Sequence, residues 1–108
     1  MMYVEFAAGN KEYKLRLNTR NIVSLEKTLG CNPLSIFGNG EEIPTITTMV
    51  AILHASLQQY QHGITMNDAY DIFDAYLEEH QMTEFLPVIV EVYRTSGLIG
   101  KEAESEKN

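Results

Sequence analysis

The sequence predicts an α+β fold, a two-stranded N-terminal β-hairpin packed on a small bundle of about four α-helices and followed by a disordered C-terminal tail. Three observations carry it. A Gly9-Asn10 pair separates two short segments of alternating character. Four stretches with apolar residues at helical spacing follow, each flanked by capping or breaking residues. The last eight residues, KEAESEKN, hold no large apolar side chain. With 108 residues the chain is of one-domain length, residues 1–100 forming the domain and 101–108 the tail. Such a chain buries roughly two-thirds of the surface its unfolded form exposes, enough for one modest core.

The hairpin register follows from folding the chain about Gly9-Asn10. Val4 then meets Leu15 and Phe6 meets Tyr13 on one face. Glu5 meets Lys14 and Tyr3 meets Arg16 on the other, so opposite charges sit across the strands. A two-stranded hairpin is marginal alone in water, so helices must cover its apolar face.

The first helix is expected from Thr19 to Leu29, with Asn18 or Thr19 as its N-cap and Gly30 at the left-handed C-terminal position. Ile22, Leu25 and Leu29 share its buried stripe, and Val23 lies off it. Asn32 then caps a short turn opening on Pro33, where the missing N–H costs little. That turn presents Leu34, Ile36 and Phe37 and stops at Gly38. The elbow IVSLEKTLGCNPLSIFG thus reverses the chain while returning apolar residues to one core.

After the loop GNGEEIP, a second helix is expected from about Thr47 to Gln61, with Met49, Leu53, Leu57 and Tyr60 inward and Gly63 ending it. A third starts at Thr65, where Thr-x-x-Asp resembles a capping box, and runs to about His80. Ala69, Ile72, Phe73, Tyr76 and Leu77 form its apolar side, opposite Asp68, Asp71, Asp74 and Glu78. The fourth starts near Thr83 and points Phe85, Ile89, Val92 and Tyr93 inward, with Pro87 tolerable in the first turn or so. Gly97 and Gly100 bracket Leu98-Ile99.

Charge narrows the partners. The net charge is −7. Residues 1–30 carry five basic against three acidic side chains, whereas residues 31–100 carry Arg94 alone against nine acids. Gripping a phosphate backbone needs clustered Lys and Arg, so nucleic acid is not an expected partner. No apolar run approaches the roughly 20 residues of a transmembrane helix, and the start has no signal-peptide pattern. No membrane association is expected. The single cysteine, Cys31, permits no intramolecular disulfide. A reducing cytoplasm is the expected compartment.

Catalytic chemistry finds no foothold. His54, His62 and His80 lack metal-ligand spacing and read as ordinary surface residues. Cys31 has no adjacent His or Lys to activate it and reads as a buried structural thiol. The acidic spacing is not that of a calcium-binding loop. The expectation is a protein without catalytic, metal or cofactor sites that works by binding another protein. Its candidate docking residues are Asp68, Asp71, Asp74 and Glu78, with an apolar surface at Leu98 and Ile99 as the second choice.

One resemblance sharpens this. Leu25-Glu26, Leu29-Gly30, Asn32 before a short apolar turn, Ala55 to Leu57, and Gly63 to Thr65 at a helix start resemble the tail assembly chaperones of long-tailed bacteriophages and gene transfer agents. The likeness spans most of residues 1–97. It implies a protein of the host cytoplasm that binds the tape measure protein, keeps that long helical polymer soluble, and recruits tail tube protein. It also implies a second, longer product made by ribosomal slippage, and Glu106-Lys107-Asn108 can be encoded by a run that permits it, GAA-AAA-AAC or GAA-AAA-AAT. A homo-oligomer is compatible with this reading. The alternative is a small structural tail-completion or head-tail joining protein of the particle.

Overall fold

The computed structural model describes residues 2–37 and 43–100. Strands β1 (Val4–Ala8) and β2 (Lys11–Leu15) pair antiparallel with Val4 opposite Leu15, Glu5 opposite Lys14 and Phe6 opposite Tyr13. Gly9 has φ +65°, and no residue other than glycine has a positive φ among those described. That sign pattern, glycine first and Asn10 second, belongs to a type II′ turn, whose twist matches the strands it joins. One expected pair fails. The ladder stops before Tyr3 and Arg16. The Arg16 guanidinium donates to the Met2 carbonyl instead (2.9 Å), and Tyr3 packs edge-on to Tyr60.

Four helices follow: α1 (Thr19–Leu29), α2 (Ile46–Leu57), α3 (Met66–Leu77) and α4 (Phe85–Thr95). Asn18 is the α1 N-cap, its side chain accepting from the Asn21 N–H (2.8 Å). Gly30, at φ +74°, closes the other end by donating to the Glu26 carbonyl (2.8 Å). Only Leu25 of the α1 stripe is fully buried, Ile22 and Leu29 are partly so, and Val23 is exposed.

Helix α2 departs from the expected single stripe. From Met49 to Leu57 every residue except His54 is buried. The helix is apolar nearly all round because it is wrapped nearly all round: α1, α3, α4 and β2 all pack on it. Its buried Ser56 hydroxyl donates to the Ile52 carbonyl (2.7 Å), so no polar atom there lacks a partner. It ends at Leu57 rather than near Gln61 because two glutamines take over its last carbonyls. Gln58 donates to His54 and Ile64, and Gln61 donates to Leu57.

The hairpin's apolar face lies on α3 and α4 through four aromatic rings. Phe6 meets Tyr76 at 4.9 Å and Phe85 at 5.7 Å, and Phe73 meets Phe85 at 5.3 Å. Helix α4 ends in a Schellman motif: Leu98 N–H donates to the Tyr93 carbonyl (2.8 Å) and Gly97 N–H to Arg94 (3.2 Å). Gly97, at φ +86°, supplies the left-handed step. Leu98 is thereby folded back onto the core.

The elbow between α1 and α2 is a 3-10 turn, Pro33–Phe37, opened by Asn32, whose side chain accepts from the Leu34 N–H (2.9 Å). Its anchor differs from expectation. Pro33 is the buried residue, and the fully buried Tyr93 hydroxyl donates to its carbonyl (2.9 Å). Leu34 and Ile36 are partly buried, but Phe37 stays 39% exposed, its ring edge-on to Tyr93. Cys31 is exposed, not the expected buried thiol; the inward position of the elbow is taken two residues later by Pro33. Gly38, most of the following loop, and the expected tail 101–108 with its slippage run lie outside the described residues.

Two stability outcomes follow. Phe6→Ala removes the hairpin's central ring and should cost about 3–5 kcal/mol, measured by chemical denaturation. Unchanged stability would contradict the aromatic cluster. Tyr93→Phe keeps the ring but removes the hydroxyl's bond to the Pro33 carbonyl and should cost about 0.5–1.5 kcal/mol, whereas Phe37→Ala, at a partly exposed edge, should cost less.

Candidate functional site

The acidic face of α3 is built as the sequence suggested, with one subtraction. Thr65 and Asp68 form a full capping box: Asp68 N–H donates to the Thr65 hydroxyl (3.0 Å) and Thr65 N–H to the Asp68 carboxylate (2.9 Å). The backbone bond from Thr65, assisted by its side chain, holds the Asp68 pKa below the ordinary 3.8. Asp68 therefore has a structural duty that accounts for it. Asp71, Asp74 and Glu78 have none: all three are exposed, and no ion pair engages them among the described residues.

Glu78 stands against the local electrostatics. It is the C-cap of α3, the negative end of the helix dipole, and the last turn contains no basic residue to offset it. Glu79 follows immediately. A carboxylate there costs about 0.3–1 kcal/mol relative to a neutral or basic residue. Among these acids sits Tyr70, 47% exposed, a residue that sequence reasoning passed over. The signal was available, since Tyr70 lies one helical turn before Asp74 and so shares the polar side. An exposed tyrosine at the edge of an acidic helix face combines an apolar contact surface with charge. At one flank, Asp68 and Asp71 border an open depression of about 390 Å³ with Lys11, Tyr13, Ile64 and Ile72.

Leu98 and Ile99, the second choice for a docking surface, are only partly exposed. Both are partly buried against the core, Leu98 drawn in by the Schellman bond to Tyr93. Exposed apolar side chains lie elsewhere: Phe37, Ile43 and Ile46 flank the elbow, where Cys31, Ile36, Ile43 and Pro44 line a shallow groove.

The histidines differ from one another. His62 is exposed, while His54 is half-buried in the seam between α1 and α2. His80 stacks on Tyr76 (4.4 Å between centroids, 14° between planes), and its Nδ1 lies 2.7 Å from the Glu84 carboxylate. That pair staples the α3–α4 corner, and burial, with the Glu84 charge as the lesser cause, raises the Tyr76 pKa. Among the described residues no group of His, Cys, Asp and Glu is arranged to hold a metal ion. No helix of the described residues is long and apolar enough to cross a membrane.

The arrangement is that of a small α+β domain with an outward-facing acidic helix. A family model matches residues 4–108, and the chain belongs to that family, described as a family of unknown function, DUF6096. No curated protein and no solved structure matches the chain.

The capping box has a measurable signature. The folded pKa of Asp68 is depressed, so its contribution to stability is present above the unfolded value of 3.8 and is lost as pH falls through the lower folded value. Asp68→Asn should flatten the acid limb of the stability curve below 3.8 and lower the neutral portion by the same amount, so that the two curves converge in acid. Thermal melts across that window report it, and an identical acid limb in the variant would exclude the linkage.

Proposed function

We propose that this protein is a phage or prophage tail assembly chaperone, a non-enzymatic module that binds the tape measure protein through the exposed face of α3. The resemblance in residues 25–65 gives the class. The observation that carries the docking face is Asp71, Asp74 and Glu78 standing unpaired beside the exposed Tyr70, with Glu78 at the wrong end of the helix dipole. Stability does not favour that arrangement, so a role outside the fold accounts for it. A basic or polar helical stretch of the partner fits it: cations meet the carboxylates and an apolar residue covers the tyrosine ring. Asp68 contributes charge at one end while committed to the cap, and tail tube protein is the second partner in this reading.

The test is co-expression with the tape measure protein of the same genome. The protein should raise the soluble yield of that partner and co-purify with it at low salt, with binding weakening as salt screens the contact. Reversing Asp71, Asp74 and Glu78 to Lys should abolish co-purification yet leave the melting temperature equal or higher, since exposed charges add little to stability and Lys suits a helix C-terminus. A soluble tape measure protein in its absence, or normal binding by the triple variant, would sink the reading. Retention in finished particles would favour the structural tail-completion or head-tail joining role instead.

A further inference from the structure

The two edges of the hairpin are treated differently. A two-residue turn makes Ala8 and Lys11 the closing hydrogen-bonded pair, so Phe6–Tyr13 and Val4–Leu15 also bond within the ladder. The N–H and C=O groups of Glu5, Ala7, Glu12 and Lys14 therefore point away from it. On the β2 side the groups of Lys14 are capped, whereas those of Glu12 meet no protein partner among the described residues. The Gln61 carboxamide takes both groups of Lys14, accepting from its N–H (2.7 Å) and donating to its C=O (2.9 Å). Beyond the strand, Arg16 N–H donates to the Ser56 carbonyl (3.0 Å) and Leu17 N–H to the Ser96 hydroxyl (2.9 Å). On the β1 side, no hydrogen bond to the outward groups of Glu5 or Ala7 exists among the described residues, and both residues are exposed. Nor does β1, VEFAA, carry the proline, lysine or bulge that blunts an open edge.

We propose that the β1 edge accepts a third strand, an extended antiparallel segment of a partner protein that is basic on one face and apolar on the other. Charge selects this occupant over a second copy of the chain. Glu5 lies opposite Lys14 without an ion pair, because the Lys14 ammonium sits over the Tyr3 ring, 4.9 Å from its centroid. Self-pairing centred on Glu5 would set like charges opposite each other, and any self-pairing joins two chains of net charge −7. Residues directly opposite in an antiparallel pair share a face. The partner residue facing Glu5 is therefore a solvent-side Lys or Arg, and its neighbours lie beside Val4, Phe6 and Ala8 and are apolar. This surface is separate from the α3 face and does not depend on the tail-assembly reading.

The probe is a capped peptide of alternating Lys and Val, about seven residues long, enough to span the strand. Added to the full chain, it should shift the Glu5 and Ala7 amide resonances and slow their hydrogen exchange. In the proposed register the lysine amides bond to β1 and the valine amides point away. N-methylation at the lysines should therefore weaken binding by about tenfold or more, while N-methylation at the valines should leave it intact. A Glu-Val counterpart should not bind. Ala7→Pro, which deletes the outward N–H of an edge strand that tolerates proline, should also lose the peptide. Two outcomes overturn the proposal: unperturbed Glu5 and Ala7 amides at saturation, including shifts confined to Asp71, Asp74 and Glu78, or equal binding by the two methylated peptides. The peptide comparison stands even if the proline variant fails to fold.

Discussion

Burial of α2 on nearly every side is the constraint from which the rest of the architecture follows. A helix that is apolar from Met49 to Leu57 cannot rest on a single neighbour. It needs α1 along one flank, α3 along another, and β2 and α4 on the remainder. Those elements are themselves too small to stand alone. The hairpin has two strands and α1 buries one residue fully, so each gains stability only by covering α2 or the aromatic cluster beside it. Polar groups at the end of this central helix are used rather than hidden. The Ser56 carbonyl receives Arg16, and Gln61, just beyond the helix, bridges to Lys14, fastening sheet to helix by backbone contacts as well as packing.

The elbow between α1 and α2 serves the same constraint. It must turn the chain within a few residues and send it back through the middle of the fold. Gly30 makes the left-handed step, Asn32 organises the 3-10 turn, and Pro33 fits at its start. Tyr93 then fixes the elbow from the far end of the sequence through its bond to Pro33. Burial, with a smaller contribution from Cys31, raises that hydroxyl's pKa, so it remains a neutral donor. Cys31 itself is exposed, and the buried residue of the turn is Pro33.

Against this background the features without a structural duty stand out by contrast. Asp68, Gln61 and Ser96 each satisfy, through a side chain, a backbone N–H that has no other protein partner among the described residues, and the Ser56 carbonyl does the same for Arg16. Asp71, Asp74, Glu78 and Tyr70 satisfy none, and the outward groups of Glu5 and Ala7 meet no protein partner among the described residues. Both regions lie on solvent-facing sides of elements whose inner faces are fully committed to the core. A small domain can keep such unfavourable or unfinished surfaces because its stability comes from the other side of the same elements.

Features that depend on local chemistry could be read from the residues alone. Gly9-Asn10 set the hairpin register, Asn18, Gly30 and Thr65-Asp68 set helix ends, and the period of α3 and α4 set their buried faces. The acidic face was legible for the same reason, since helical spacing alone puts Asp71, Asp74 and Glu78 on one side. Tertiary structure decided what depends on residues distant in the chain. That α2 is central rather than amphipathic needed four neighbours to be assembled. That Pro33 rather than Cys31 is inside needed Tyr93, sixty positions away. That Leu98 folds inward, and that one hairpin edge is capped while the other is not, needed the packing of α4 and the side chain of Gln61. Turn and cap preferences act over a few residues and can be read directly. The partner of a carbonyl, a ring or a strand edge is chosen only when the chain closes on itself.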